Sequence, residues 1–98
     1  MTPTLIKADG TLSELQPLNG TDFTLEELYP VLNTDIIEII YLGDGTSMIM
    51  DEEGNFREGR AVNVTATNLA VMALKKAGRG ILNPLVGTVL HCDSEYIK

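Results

Sequence analysis

Cysteine, histidine and aromatic residues are scarce in this sequence of 98 residues. It contains one Cys, one His and no Trp, and aromatic residues together make up 5%. A single cysteine excludes an intrachain disulfide and is typical of a reducing compartment. The chain also lacks the ligands for a thiolate cluster or a two-histidine metal site. We therefore expect neither a metal nor a cofactor.

Positively charged residues are also few. Seven Lys and Arg stand against 14 Asp and Glu, which gives a net charge of -7. Proteins that wrap a phosphate backbone need clustered cations, so we do not expect nucleic-acid binding. No apolar run approaches the ~18 residues of a membrane helix, and the first four residues do not open a signal peptide. These features predict a cytoplasmic protein without membrane contact.

The remaining composition is that of an ordinary globular protein. Hydrophobic residues make up 44% and charged residues 21%, which argues against disorder. A chain of this length forms one domain, spanning residues 1–98. Such a domain buries only about 60–65% of its unfolded surface. The modest core leads us to expect a homo-oligomer.

Two local signals mark the first third of the chain. Asp9-Gly10 lies between short runs of apolar and β-branched residues, which predicts a hairpin because both residues tolerate the positive φ of a tight turn. Further on, Thr24 and Glu27 have the spacing of a capping box. A helix is therefore predicted to begin there. Pro30 keeps this helix short, so it should end by residue 32 or 33.

The segment over residues 36–42 is the most β-prone of the chain. It has four isoleucines and is apolar on both faces apart from Glu38, which predicts a central strand covered on both sides. A turn over residues 43–45 returns the chain as a second strand, Thr46–Asp51. Met48 and Met50 of that strand form either a soft patch or, more commonly, part of the core.

Apolar residues with helical spacing predict a second helix. They form one stripe from Ala66 to Ala77. Either Thr65 or Thr67 can cap its start, and Gly78 ends it.

The last strand is predicted over residues 85–91, with residues 96–97 as its continuation. The order of elements is then β-β-α-β-β-α-β. This order predicts an α+β fold, a small and mainly antiparallel sheet with two helices on one face.

Candidate catalytic groups are few. His91 and Cys92 are neighbours in a predicted strand, so their side chains point to opposite faces and diverge. Glu38, Asp44 and Asp51 can in principle pair as acid and base, but nothing in the sequence sets their separation. We therefore expect a protein that is not an enzyme.

One polar cluster precedes and enters the second helix. Its members are Asn63, Thr65, Thr67 and Asn68, with Arg57 and Arg60 shortly before them. Amide and hydroxyl groups at a helix N-terminus, with two guanidinium groups nearby, can hold a small anionic or nucleotide ligand. Helix capping and a solvent-facing strand explain the same residues without a ligand.

Five blocks follow one another along nearly the whole chain. They are NGTDFTLEEL (19–28), IEIIYLGDG (37–45), MDEEGN (50–55), NVTAT (63–67) and VGTVL (86–90). In this order they resemble a family of small proteins from bacteriophages and mobile elements, catalogued as a domain of unknown function. Where that family has a Gly-Gly pair before the Ile-Glu strand, this chain has Asn33-Thr34-Asp35.

The resemblance implies a stand-alone accessory protein in the cytoplasm of an infected or plasmid-bearing bacterium. It supplies no enzymatic activity and no established catalytic residues. Asn63, Ala66 and Thr67 match the family's pattern and coincide with the polar cluster.

Two binding functions lead the interpretation. The first is a module that associates into a dimer or ring and sequesters a small host molecule, such as a nucleotide signal of antiviral defence. The second is an interaction protein whose acidic surface imitates DNA and occupies the basic groove of a host enzyme.

Overall fold

The computed structural model describes residues 1–80 and 83–97 and confirms the predicted α+β class. Its seven main elements follow the predicted order β-β-α-β-β-α-β, and two short 3-10 helices, η1 and η2, are added to them. Their bounds are β1 (Thr4–Ile6), β2 (Leu12–Glu14), α1 (Leu25–Leu32), β3 (Ile37–Tyr41), β4 (Thr46–Asp51), η1 (Gly54–Phe56), α2 (Val64–Lys76), β5 (Val89–Asp93) and η2 (Ser94–Tyr96). No helix within these described ranges is long and apolar enough to cross a membrane.

All strand pairs of the five-stranded sheet are antiparallel, in the order β2-β1-β5-β4-β3. β3 therefore lies at an edge, and the prediction of a central strand over residues 36–42 was wrong. The centre is taken by β5 and by β4, of which all residues but Thr46 are buried. High β propensity indicates that a segment forms a strand. It does not determine which strands will lie beside it in the sheet.

The two helices pack on opposite faces of the sheet, not on one face as predicted. Leu28 and Leu32 of α1 belong to a buried cluster with Ile49 of β4. Ala70 of α2 belongs to a second buried cluster with Met48. Neighbouring residues of a strand point to opposite faces, so Met48 and Ile49 assign the two clusters to the two sides of the sheet.

The first hairpin and the start of α1 agree with the sequence signals. The hairpin forms where predicted, but of the two turn residues only Gly10 has a positive φ, +90°, so the turn is not the predicted type in which Asp9 has one as well. At α1 the Thr24 hydroxyl accepts a hydrogen bond from the Glu27 amide, and the Glu27 carboxylate accepts one from the Thr24 amide. The helix ends where Asn33 adopts a left-handed conformation with a φ of 53°.

The second half of the chain departs from prediction at two element boundaries. α2 is capped by Asn63, not by Thr65 or Thr67. The last strand begins at Val89 rather than at residue 85, because Val86 forms only an isolated bridge with Val62 and Gly87 then bends the chain with a φ of +80°. Residues 94–96 form η2 instead of continuing the strand.

Candidate functional site

Asn63 lies at the centre of the predicted polar cluster and is fully buried. Its side-chain amide donates hydrogen bonds to the carbonyls of Ile6 and Gly87, each at 2.8 Å. Its side-chain oxygen accepts one from the Ala66 amide at 3.0 Å. An Asn amide has two N–H donors, and here both are used inside the protein. The residue thus joins β1, the start of α2 and the segment before β5.

The other polar residues of the cluster lie around the first turns of α2. The Thr67 hydroxyl donates to the carbonyl of Asn63 at 2.7 Å and accepts from the Leu85 amide at 2.9 Å. Thr65 is half-buried and Asn68 is exposed. Two of the four residues, Asn63 and Thr67, therefore hold the chain together, while Thr65 and Asn68 face outward.

Arg57 and Arg60 converge on a carboxylate rather than on the start of α2. The Arg57 Nε donates to Oδ2 of Asp51 at 2.6 Å, and Nη2 of Arg60 donates to the same oxygen at 3.3 Å. Arg60 also donates to the carbonyl of Asn33 at 2.6 Å. The sequence placed the two arginines beside the polar groups at the start of α2, and the structure places their guanidinium groups on Asp51 instead. Their shared partner was not predicted.

Asp51 is buried, with only 3% of its side chain exposed. Burial alone raises the pKa of a carboxyl group. Hydrogen bonds from the Thr34 hydroxyl, the Glu53 amide and Arg57, together with the charge of Arg57, outweigh burial and hold the pKa of Asp51 below its ordinary value. Asp51 is therefore an ionised group that accepts a hydrogen bond from each of the two guanidinium groups.

The Asp51 network fixes the turn that follows β4. Gly54 is buried against Val86, where an added Cβ would lie 3.3 Å from the Val86 carbonyl oxygen. With Asp51 and Arg57 paired, η1 is held at both of its ends. Phe56 lies on this short helix and is 88% exposed. Single exposed apolar side chains are common on protein surfaces, and Phe56 differs from them in lying on a segment that buried contacts hold in place.

Acidic residues flank Phe56 in the sequence. Glu52, Glu53 and Glu58 are all exposed, and with Phe56 they define the η1 surface. Six carboxylates lie on or beside this end of the sheet, against only Arg57 and Arg60, so the local charge is -4 of the total -7. The six are Asp35, Glu38, Asp51, Glu52, Glu53 and Glu58.

A cleft of about 150 Å³ lies next to this region, on the α2 side of β3 and β4. Its lining includes the carboxylates of Glu38 and Glu52, the amides of Asn55 and Asn83, and apolar side chains such as Ile40. Pockets that bind drug-sized ligands usually have volumes of about 300–1,000 Å³, which is larger than this cleft. Carboxylates in the wall also disfavour an anion.

Of the remaining candidate groups, His91 and Asp44 meet at the hydroxyl of Thr46, while Cys92 lies on the other face of the sheet. Cys92 is buried in the α1-face cluster, and burial raises the pKa of its thiol to about 11. The His91 ring lies 3.0 Å from the Thr46 hydroxyl, and burial lowers its pKa. The Asp44 carboxylate accepts hydrogen bonds from the amide and hydroxyl of Thr46, at the other end of β4 from Asp51. Within residues 1–80 and 83–97, no group of His, Cys, Asp and Glu is placed to hold a metal ion.

Met48 and Met50 belong to the α2-face core and are not a soft patch. Sequence reasoning missed the η1 surface, although a signal was present. Phe56 is one of only two phenylalanines and stands in a polar, acidic segment with no apolar periodicity around it. A large aromatic side chain in such a context has no predicted core to enter.

Comparisons with family models, with curated proteins and with solved structures found no match.

Proposed function

We propose that this chain is a non-enzymatic binding protein that recognises a partner protein through the η1 surface. The observation that carries the proposal is the 88% exposure of Phe56 on a segment held by the Asp51–Arg57 pair. Binding energy at protein interfaces is concentrated in a few anchors, often aromatic, that enter pockets of the partner. An anchor that is already positioned loses less conformational entropy on binding.

The chemistry of the surface specifies its partner. The Phe56 ring is complementary to an apolar pocket on the partner. The carboxylates of Glu52, Glu53 and Glu58 are complementary to basic residues around that pocket. A groove that normally holds the phosphates of a nucleic acid provides such a rim. The proposed partner is therefore a host enzyme acting on nucleic acid, and the chain acts by occupying its groove.

The same contacts favour a protein partner over a small anionic ligand. Arg57 and Arg60, the two cations that an anion would need, already bind the carboxylate of Asp51, and Arg57 also lies 3.8 Å from the carboxylates of Asp35 and Glu53. The side chains of Asn63 and Thr67 already make hydrogen bonds within the fold. A site for a nucleotide would have to break these interactions before it made new ones, and their loss would count against affinity.

Two matched variants test the η1 surface. Phe56 and Leu18 are each 88% exposed, so Phe56→Ala and Leu18→Ala remove comparable apolar groups from water-facing positions. The chain is immobilised and exposed to a lysate of host bacteria at low and high salt, and the captured proteins are quantified by mass spectrometry. We expect Phe56→Ala to reduce capture of a specific protein by about tenfold or more, because removing an interface anchor costs about 2 kcal/mol. Leu18→Ala should leave it unchanged.

Two further arms distinguish the alternatives. Capture should weaken with salt, because the acidic rim is exposed and screened, and duplex DNA should compete with it. A thermal-shift screen against cyclic dinucleotides, cyclic trinucleotides and ADP-ribose derivatives should show no change. Equal capture by Phe56→Ala and the unaltered chain, or stabilisation by a nucleotide, would overturn the proposal.

A further inference from the structure

The outer edge of β3 is free of backbone partners among residues 1–80 and 83–97. In an antiparallel pair, alternate residues point their N–H and C=O groups toward the neighbouring strand. The Leu42 amide bonds to the Thr46 carbonyl, and the Glu52 amide bonds to the Ile36 carbonyl. Even-numbered residues of this segment therefore face β4. Ile37, Ile39 and Tyr41 present their N–H and C=O groups to the free edge.

This edge lacks the features that natural proteins use to prevent strand pairing. Exposed edges are usually short, or carry Lys, Pro or a bulge. β3 pairs with β4 over five consecutive residues without a bulge, and it contains no Lys or Pro. Its only charged residue is Glu38. The opposite edge of the sheet, β2, has only three residues and does not offer a comparable template.

We propose that two copies of this chain form a dimer by pairing their β3 edges antiparallel, with Ile39 on the two-fold axis. In this register Ile39 faces Ile39 of the second copy, and Ile37 faces Tyr41 in both directions. All three outward-facing residues then exchange hydrogen bonds, two for each facing pair. A slip of two residues in either direction leaves one residue on each strand unpaired. The sheet becomes a continuous sheet of ten strands.

The charges at the two ends of β3 are opposite, and antiparallel pairing brings them together. Beyond the Tyr41 end lie the end of α2, whose last turn carries Lys75 and Lys76, and Arg79, whose Cδ lies 3.9 Å from where a Cβ on Gly43 would be; the acidic residue at this end is Asp44. Before the Ile37 end stands Asp35, with 93% of its side chain exposed and Oδ1 3.8 Å from Nη2 of Arg57. The proposed register continues so that Asp35 of one copy faces Gly43 of the other, next to Arg79.

The two-fold axis makes this pairing occur twice, at both ends of the interface. A second copy is therefore complementary to the β3 edge in hydrogen bonding, in register and in charge. Because the edge is used once by each copy and β2 is short, the assembly closes at two chains.

Backbone pairing is tested with proline at the free edge. The Tyr41 N–H points away from β4, and its side chain is 55% exposed, so Tyr41→Pro removes an interface donor without removing a ladder bond inside the monomer. Tyr41→Thr keeps the donor and serves as the matched control. Light scattering after size exclusion should give twice the 10.7 kDa of one chain for the unaltered protein and for Tyr41→Thr. Tyr41→Pro should give one chain, with an unchanged circular dichroism spectrum.

Charge reversal tests the ends of the interface without relying on proline. Asp35→Arg and Arg79→Asp should each raise the dimer dissociation constant by about 5- to 30-fold, because each places like charges together twice. The double variant should regain most of the affinity, which a role confined to monomer stability does not predict. The proposal is overturned if the unaltered chain is a monomer. It is also overturned if neither Tyr41→Pro nor charge reversal weakens the dimer, or if the double variant has the same dissociation constant as the single variants.

Discussion

The sharpest prediction concerns Asn63, the buried amide that caps α2. Asn63→Ala removes the cap, worth about 1 kcal/mol, together with the two hydrogen bonds that the amide donates to the carbonyls of Ile6 and Gly87. Each unsatisfied buried acceptor costs about 1–3 kcal/mol. With the lower part of that range for each carbonyl, the expected loss in the free energy of unfolding is about 3–5 kcal/mol. A domain of this size has only about 5–15 kcal/mol in total.

Urea denaturation followed by circular dichroism measures this loss. With a slope near 1 kcal/mol per molar of urea, the midpoint should fall by about 3 M or more. The matched control is Asn68→Ala, which removes an exposed amide from the same cluster and should change stability by less than about 0.5 kcal/mol.

Two results would refute the reasoning on Asn63. A loss below about 1 kcal/mol would mean that the amide is not needed by the fold and is available for a ligand. An equal loss in Asn68→Ala would mean that the cost comes from the helix as a whole.

Two smaller changes probe the other anchors. Because folding lowers the pKa of Asp51, its carboxylate binds a proton more readily in the unfolded chain than in the folded one. The ionised carboxylate therefore contributes fully to stability above about pH 4, and this contribution is lost as the pH falls through the folded pKa. Urea midpoints between pH 7 and pH 2 should show this decline, and Asp51→Asn should flatten it while costing about 1–3 kcal/mol at pH 7; an unflattened profile would assign the acid sensitivity to other groups. Thr24→Ala should cost about 1 kcal/mol and Thr24→Ser almost nothing in the same assay, and equal losses would show that the capping hydroxyl does not matter.

Local features of the fold were predictable, and long-range ones were not. The Asp9-Gly10 hairpin and the Thr24–Glu27 capping box depend on residues a few positions apart, and both agree with the structure. The placement of β3 at an edge depends on β5 entering the centre of the sheet from the end of the chain. The sheet faces on which α1 and α2 pack depend on the same insertion of β5. No local sequence pattern predicts where β5 inserts.

The candidate site shows the same division. Arg57 and Arg60 were grouped with the start of α2 because they precede it closely in the sequence, but their guanidinium groups bind Asp51. Asp51, which binds both, belongs to the preceding strand, and the carboxylate is buried only because the turn after β4 folds back over it. Asn63 was assigned to a ligand or a capping role, and its bonds to Ile6 and Gly87 span distances in sequence that periodicity cannot detect.

The bonds of Asn63 also have a kinetic consequence. Ile6 is 57 positions away in sequence and Gly87 is 24 away, so the amide finds its acceptors only after two large loops have closed. We expect these contacts to form after the rate-limiting step, because both loops must close before the amide can reach its acceptors. Losing them should leave the refolding rate nearly unchanged and make the native state open faster. In a cell, where proteases act on opened chains, this one side chain would then lengthen the lifetime of each molecule.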